Sequence, residues 1–439
     1  MKLKKTLLAA AVAAIAALTL GSCSAMPQES AVVTVRLWDQ NVADAYEKSF
    51  DQLYRETGVK AVTKVIPWAD YWTQLRVDLA SKTADDIFWV NAGNFAEYAE
   101  NSLLRPITSA EFAEQWPDWD SSVIAQYSLD GSLWGVPQLS DPGIGLLYNK
   151  DLLDEFGVTV DQVKSLTWNP NAPTDSLREI SQLLTRDSEN RAASDPKFDA
   201  NRVNTYGFNA AFDLNAIVLN FLGSNHAAWQ KEDTFAFNTA EGVETFQYLV
   251  DLINKYRVSP PASDTNPPAG SDLSRDLFIQ GKMALFETGA YNLANVLEGA
   301  DFNWGIATIP SGPKGAISVT NGIVAAASTS TENAAAQLTV LKWLGGKGSR
   351  FIGESGSALT AVKSSRESYF SYWKSQRIDV APMVEVLGNG NVQAPRGAKY
   401  GEAEAAYLPF FTEMFLGKIT VPKALEQAES AANQSMLGK

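Results

Sequence analysis

The sequence predicts an α/β fold built on a parallel sheet. Two observations carry this: runs rich in β-branched residues alternate with runs of helical apolar spacing from residue 31 onward, and the first three strands and their helices follow one another as βαβαβ. A third observation sets the scale. At 439 residues the chain is too long for one ordinary core and long enough for two large domains.

The first strand is Val32 to Trp38. Val42, Tyr46, Phe50 and Leu53 then recur at helical spacing and stop at Gly58, a residue suited to the left-handed turn that ends helices. Val59 to Ile66 is a second strand, and Trp68, Trp72, Leu75 and Leu79 mark a second helix. Ile87 to Val90 is a short third strand, followed by a helix through Phe95 and Tyr98. In such sheets ligands bind beyond the carboxyl ends of the strands. Those ends carry Trp38-Asp39, Pro67-Trp68 and Asn91-Ala92-Gly93. Later helices are expected at 151–156, 176–185, 240–256, 272–280, 332–344 and 422–436, with Pro/Gly/Ser-rich loops at 259–271 and 309–315.

Composition narrows the function. The chain is 45% hydrophobic and 20% charged, which fits a globular protein, and its net charge of −14 argues against nucleic acid and against a polybasic hold on anionic lipid. One His and one Cys exclude a multi-Cys/His zinc site, a disulfide framework and a Cys–Cys redox pair. No cofactor motif follows a strand.

The N-terminus reads as an address. Lys2, Lys4 and Lys5 precede an apolar run from Leu7 to Leu20 that is too short to span a bilayer comfortably and fits a signal sequence. Leu20-Gly21-Ser22-Cys23 resembles the bacterial lipobox, in which the cysteine is acylated and the chain is cut just before it. The expected divisions are a signal peptide at 1–22 and a lipidated tether at 23–30, with Cys23 as the acylated residue.

Several ordered motifs resemble the family 1 extracellular solute-binding proteins of ABC importers, the group that contains maltose-binding protein. They begin with Leu37-Trp38-Asp39 and Phe50…Glu56-Thr57-Gly58-Val59. The strongest is Asp130-Gly131-Ser132-Leu133-Trp134-Gly135-Val136-Pro137 followed by Leu147-Tyr148-Asn149-Lys150-Asp151-Leu152 and Gly157-Val158. Thr167-Trp168, Tyr206-Gly207-Phe208, Phe278-x-x-Gly281-Lys282-Met283-Ala284 and Ile309-Pro310-x-Gly312-Pro313 follow in the family's order. The resemblance implies a two-lobe periplasmic-binding-protein-like fold of type II, with a hinge and an interlobe cleft. It places residues 31–138 and 288–345 in the N-terminal lobe and 139–287 and 346–439 in the C-terminal lobe. Crossings are expected near Gln138–Ser140, near Phe286–Gly289 and after Trp343.

The candidate ligand residues are Trp38, Asp39, Trp68, Asn91, Asp141, Trp229, Glu287, Tyr291, Asn321 and Arg396. Flat aromatics suit the apolar C–H faces of sugars, and planar polar groups suit their hydroxyls. Each has a plainer structural reading: core packing for the tryptophans, turn formation for Asn91 and Asp141. Trp72 is expected in the core and His226 at the surface. Relatives usually carry Gly-x-Trp where this chain has Gly289-Ala290-Tyr291, and often Gly-Gly where it has Asn321-Gly322. They often show a Pro where this chain has Leu359-Thr360-Ala361.

The function expected from these readings is a lipid-anchored, extracytoplasmic, monomeric binding protein of an ABC importer. It would take a carbohydrate, an oligosaccharide in the first instance, and deliver it to permease transmembrane subunits, with no nucleic acid partner, metal or cofactor. The alternatives are the same fold binding a polyol phosphate, a peptide or a metal, or a surface glycosidase. No Gly-x-Ser-x-Gly elbow is present to favour a hydrolase, and a Ser-His triad would rest on His226 alone.

Overall fold

The computed structural model describes residues 32–265 and 270–438. Cys23, the expected signal peptide and the expected tether lie outside the described residues. The chain opens with β1 (Val32–Leu37), α1 (Gln40–Thr57), β2 (Lys60–Val65), α2 (Trp68–Ser81), β3 (Ile87–Val90), α3 (Phe95–Glu100) and β4 (Leu104–Arg105). β5 (Val136–Ser140) and β6 (Ile144–Asn149) follow. After a π-helical turn at Leu214–Val218 come α4 (Leu219–Ser224), α5 (Ala240–Asn254), β7 (Leu285–Gly289), α6 (Leu293–Gly299), β8 (Trp304–Thr308), β9 (Gly322–Ser328) and α7 (Ala334–Leu344). α8 (Tyr400–Phe415) and α9 (Val421–Met436) end the described chain.

Two sheets organise the molecule. The first has the order β2-β1-β3-β9-β4, with β5 also on β9. β1 runs parallel to β2 and β3, as the βαβαβ pattern predicts. β9 is antiparallel to β3, β4 and β5, so the sheet is mixed. Local alternation could not show this, because β9 returns from a distant part of the chain. The second sheet is β7-β6-β8 and is antiparallel throughout.

Local chemistry starts the helices that shape the cleft. Asp39 accepts from the Val42 amide at 3.1 Å and caps α1, and Gly58 (φ 73°) ends it in the left-handed region. α1 turns Val42, Tyr46, Phe50 and Leu53 inward, the four positions its spacing predicts. β3 is buried along its whole length. α8 is absent from the sequence reading; it contains Pro409 and begins beside Gly401, both poor helix formers, and burial of Tyr407, Phe411 and Phe415 holds it.

The chain leaves the first sheet between Ser140 and Ile144. The segment Phe286–Gly289, where the resemblance places a return, lies in β7 and pairs with β6; β8 pairs with β6 as well, and the chain rejoins the first sheet at β9. Between them, Asn295 of α6 accepts from Asn41 of α1 at 3.1 Å. A third segment, Leu359–Ala361, lies on β5: Ser140 N–H donates to Leu359 O at 3.0 Å, and Ala361 N–H donates to Gln138 O at 2.8 Å.

One ion pair fastens this third segment. Arg366 donates to Asp120 and, through Nε, to Thr360 O at 3.1 Å. Asp120 also accepts from Ser140 Oγ at 3.0 Å, and its N–H donates to Ala361 O at 2.9 Å. Burial alone would raise the Asp120 carboxyl; hydrogen bonds from Ser122 and Arg366 and the Arg366 charge outweigh it and bring the pKa down to about 2. A depressed carboxyl adds stability above its unfolded pKa that is lost as pH falls towards the folded value, here about 2 kcal/mol. We therefore expect Asp120→Asn to lower unfolding free energy at pH 7 by about 1–3 kcal/mol and to flatten its decline between pH 4 and pH 2. Urea titrations at several pH values check this; equal slopes in both proteins would refute it.

Candidate functional site

The first wall of the site stands at the carboxyl ends of β1 and β2. Trp38 follows β1, and Trp68 opens α2 behind Pro67, whose missing N–H suits the helix start. Trp38 is the hub of an aromatic cluster, with ring centroids 5.2 Å from Trp68, 5.0 Å from Tyr71, 5.5 Å from Trp72 and 5.0 Å from Trp89. Most of these contacts are edge-on, the arrangement that ring quadrupoles favour. Trp68 remains 44% exposed, so one large aromatic is open to solvent on a rigid base. Trp72, expected in the core, is partly buried and belongs to the same cluster.

Hydrogen bonds tie this cluster to the chain crossing. Tyr71 OH donates to Trp89 O at 2.9 Å. Trp89 Nε1 donates to Tyr46 OH at 3.2 Å, and Tyr46 OH donates to Gln138 Oε1 at 2.5 Å. Gln138 is fully buried in β5, three residues before Asp141. Asn91, after β3, uses its Oδ1 to accept from the Asn94 amide at 3.2 Å and from Asn94 Nδ2 at 2.8 Å. Its oxygen therefore shapes the turn into α3, the plainer of its two expected roles.

The crossing brings a second group together. Asp141 N–H donates to Asn321 O at 2.9 Å, joining the outgoing strand to the residue before β9. Gln126 Oε1 accepts from Gly322 N–H at 2.9 Å, and Tyr127 OH donates to Gly322 O. Burial pushes the Asp141 carboxyl up to about 7, and its charge in turn helps raise the hydroxyls of Tyr127, Tyr291 and Tyr369. Tyr291 lies in a single 3-10 turn, Ala290–Asn292. Its ring folds back over Gly289, where a Cβ would meet Cε1 at 2.1 Å. Any other residue at 289 would displace the ring.

Glu287 lies deeper, in β7. It is 0% exposed, and among the described residues neither carboxyl oxygen has a hydrogen-bond partner. Asn220 adjoins it, but both amide hydrogens of Asn220 go to Asn215 O and Ala216 O. The Glu287 backbone is fully engaged by Asn209, which accepts at 2.7 Å and donates at 2.9 Å. Burial, with the Asp213 charge added, holds the carboxyl well above its usual range. Glu287 is therefore a buried acid of β7 whose charged form burial disfavours.

Sequence reasoning missed Asp213, Tyr127 and Tyr369. Asp213 caps the π-helical turn by accepting from the Asn215 and Ala216 amides at 3.1 and 2.9 Å. Burial outweighs those two bonds and raises its carboxyl. Its signal was an Asp directly before an apolar run, the signature of a helix cap.

Two candidates lie elsewhere. Trp229 is 4% exposed and packs among aromatic rings, with centroids 4.6 Å from Phe237, 5.2 Å from Tyr407 and 5.5 Å from Phe411. It is a core residue, because α8 covers the loop that carries it. Arg396 points outward. Its backbone exchanges hydrogen bonds with the Gln230 amide at 2.9 and 3.0 Å, and its exposed guanidinium lies 4.0 Å from Asp233. His226 is exposed, as expected.

The mixed sheet, the second antiparallel sheet and the crossings between them define a two-lobe binding-protein fold. The sequence profile of the bacterial extracellular solute-binding protein family matches residues 39–350, and the chain belongs to that family. It is similar to UspC of Mycobacterium tuberculosis, with 43% identity and a TM-score of 0.72 over 92% of this chain and 100% of that one. An ABC substrate-binding protein of Listeria monocytogenes, solved in complex with cycloalternan, is 18% identical with a TM-score of 0.77, covering 92% of this chain and 98% of that one. A protein of Brucella abortus named as a binding protein is 22% identical over 264 residues, which is 59% of this chain; the match spans 57% of that relative's length.

The raised Asp141 carboxyl has a pH signature. Between the ordinary carboxylate pKa and about 7, the folded state holds a proton that the unfolded state releases, so this group lowers stability as pH rises through that window. Asp141 keeps some solvent contact, so the effect is about 1–3 kcal/mol. Asp141→Asn is expected to melt higher than wild type at pH 8 and by a smaller margin at pH 5. Parallel melting curves at the two pH values would refute the assignment.

Proposed function

We propose that this protein is the substrate-binding component of an ABC importer, that it captures a carbohydrate in the cleft between its lobes, and that a lipid on Cys23 holds it at the outer face of the cytoplasmic membrane. The supporting observation is the half-exposed Trp68 on the Trp38 cluster, linked through Tyr46 and Gln138 to the polar group at the crossing. An aromatic plane covers the C–H face of a pyranose, while Asp39, Asn91, Asp141, Asn321 and Tyr291 offer planar or hydroxyl groups to its rim. The Listeria relative in complex with cycloalternan and a Thermotoga lettingae solute-binding protein bound with α-D-tagatose support the sugar reading by their fold.

The lobes divide at the crossings. One lobe holds the first sheet, the other β6, β7 and the helices α4, α5, α8 and α9. A solute that touches both lobes favours the closed form by its difference in affinity for the two states. The closed form then docks on the permease and releases its cargo without chemical change to it.

Melting temperature in the presence of mono- and oligosaccharides tests the reading. A ligand at about 100 times its Kd adds about 2.7 kcal/mol, a shift of a few degrees. One sugar class is expected to raise the melt and to be recovered intact. Trp68→Ala is expected to abolish that shift while costing about 1 kcal/mol or less in the unliganded protein, since the side chain is already half exposed. A panel in which no sugar moves the melt would remove the carbohydrate reading, and consumption of the sugar would remove the binding-only reading.

A further inference from the structure

The lobes meet at a second place, away from the crossings. Most of α8 is packed in the second lobe: Tyr407 and Phe411 lie against Trp229, Phe411 against Phe246 of α5, and Phe415 against Phe212. Its first turn instead reaches the first lobe. The Tyr400 ring rests on Gly93, just past β3; a Cβ at Gly93 would lie 2.8 Å from Tyr400 Cδ1. One residue on, a Cβ at Gly401 would lie 3.0 Å from Nη1 of Arg76, on α2. Both approaches exist because both positions lack a side chain.

The ring and the cation are each held from their own side. Tyr400 is 5% exposed, its hydroxyl shares a hydrogen bond with Tyr407 OH at 2.9 Å, and its ring stacks on Phe235. Arg76 Nε donates to Trp72 O at 3.3 Å, which aims the guanidinium along α2 towards α8. Arg76 acts electrostatically on Glu404 of α8 and on Glu97 of α3, and Glu402 of α8 faces Glu97. A cation of the first lobe thus faces carboxylates on the first turns of a second-lobe helix, and it is these side chains that attract it, since the helix N-terminus itself carries partial positive charge.

We propose that Arg76, with the seating of Tyr400 on Gly93, forms an interlobe latch that holds the cleft closed before any solute arrives. The inference rests on the two-lobe architecture and does not depend on the identity of the solute. Its consequence is that solute enters during brief openings and that closure needs little further drive from binding.

Small-angle X-ray scattering on the purified, solute-free protein tests it, with circular dichroism as the folding control. Wild type is expected to scatter as the closed form in 0.01 M salt. Its radius of gyration should rise in 1 M salt, where the screening length shrinks from about 30 Å to about 3 Å. Arg76→Glu is expected to show the larger radius at both salts, and Gly93→Leu, which blocks the ring's seat, to do the same. If Gly93→Leu does not fold, the Arg76→Glu and salt measurements decide alone. Equal radii for wild type and folded Arg76→Glu, or a wild type already open in 0.01 M salt, would overturn the latch. No sugar enters the experiment, so its failure is distinct from failure of the carbohydrate reading.

Discussion

The structure depends on a narrow strip of backbone hydrogen bonds at which three chain segments meet. Ser140 and Gln138 of β5 bond to Leu359 and Ala361, and Asp141 bonds to Asn321. Every path between the two sheets that is described here runs beside this strip. Its peptide groups are directional and already paired, so bending there preserves the pairing only along limited directions. Asp120 and Arg366 fasten one side of the strip, and Tyr46 fastens Gln138 on the other. A hinge at this strip would let the lobes of the fold move as bodies while the segments that join them stay in register.

Asp141 on the crossing, and Asp213 and Glu287 beside the second sheet, form a group of largely buried acids. Asp141, Asp213 and Glu287 all have raised carboxyls, burial being the leading cause in each. Each also feels or exerts a like charge: Asp213 on Glu287, and Asp213 and Asp141 together on Tyr291. Protons on these groups change what they offer, since a neutral carboxyl donates as well as accepts. The contrast with Asp120, close to the same crossing, is instructive. There an arginine and a serine hydroxyl keep the carboxylate charged. Burial raises the first three, Asp213 in spite of two backbone partners, whereas at Asp120 the arginine and the serine outweigh it.

Much of the first lobe was legible in the sequence, because its strands and helices are local and each strand end carries its own marker. Trp38-Asp39 reads as a strand end, and the strand stops there, with Asp39 capping the helix that follows. Trp68 behind Pro67 reads as a helix start, and it is one. The antiparallel entry of β9 was not legible, because nothing near residue 322 says which strand it will meet. Trp229 misled for a related reason: its surroundings in sequence look like an open loop, and the helix that buries it comes much later in the chain. The exposure of Arg396 was not legible because a single cation carries no direction, and the Gln230 amide that holds its backbone is distant in sequence. Asp213 carries a readable cap signature, but a cap signature says nothing of the burial that raises its carboxyl.

The fold of Tyr291 over Gly289 has a consequence for the thermodynamics of recognition. A free tyrosine side chain samples several rotamers and must surrender them when a ligand fixes it, at a cost of about 0.5–1.5 kcal/mol. Here the missing Cβ at Gly289 gives the ring a seat against the backbone, and packing in that seat limits its alternatives. That entropy is lost once, during folding, and is shared with the rest of the lobe. Under the proposed function, a solute meeting this ring would find its face already set, and the contact would be expressed in the heat of binding with little opposing loss of side-chain freedom.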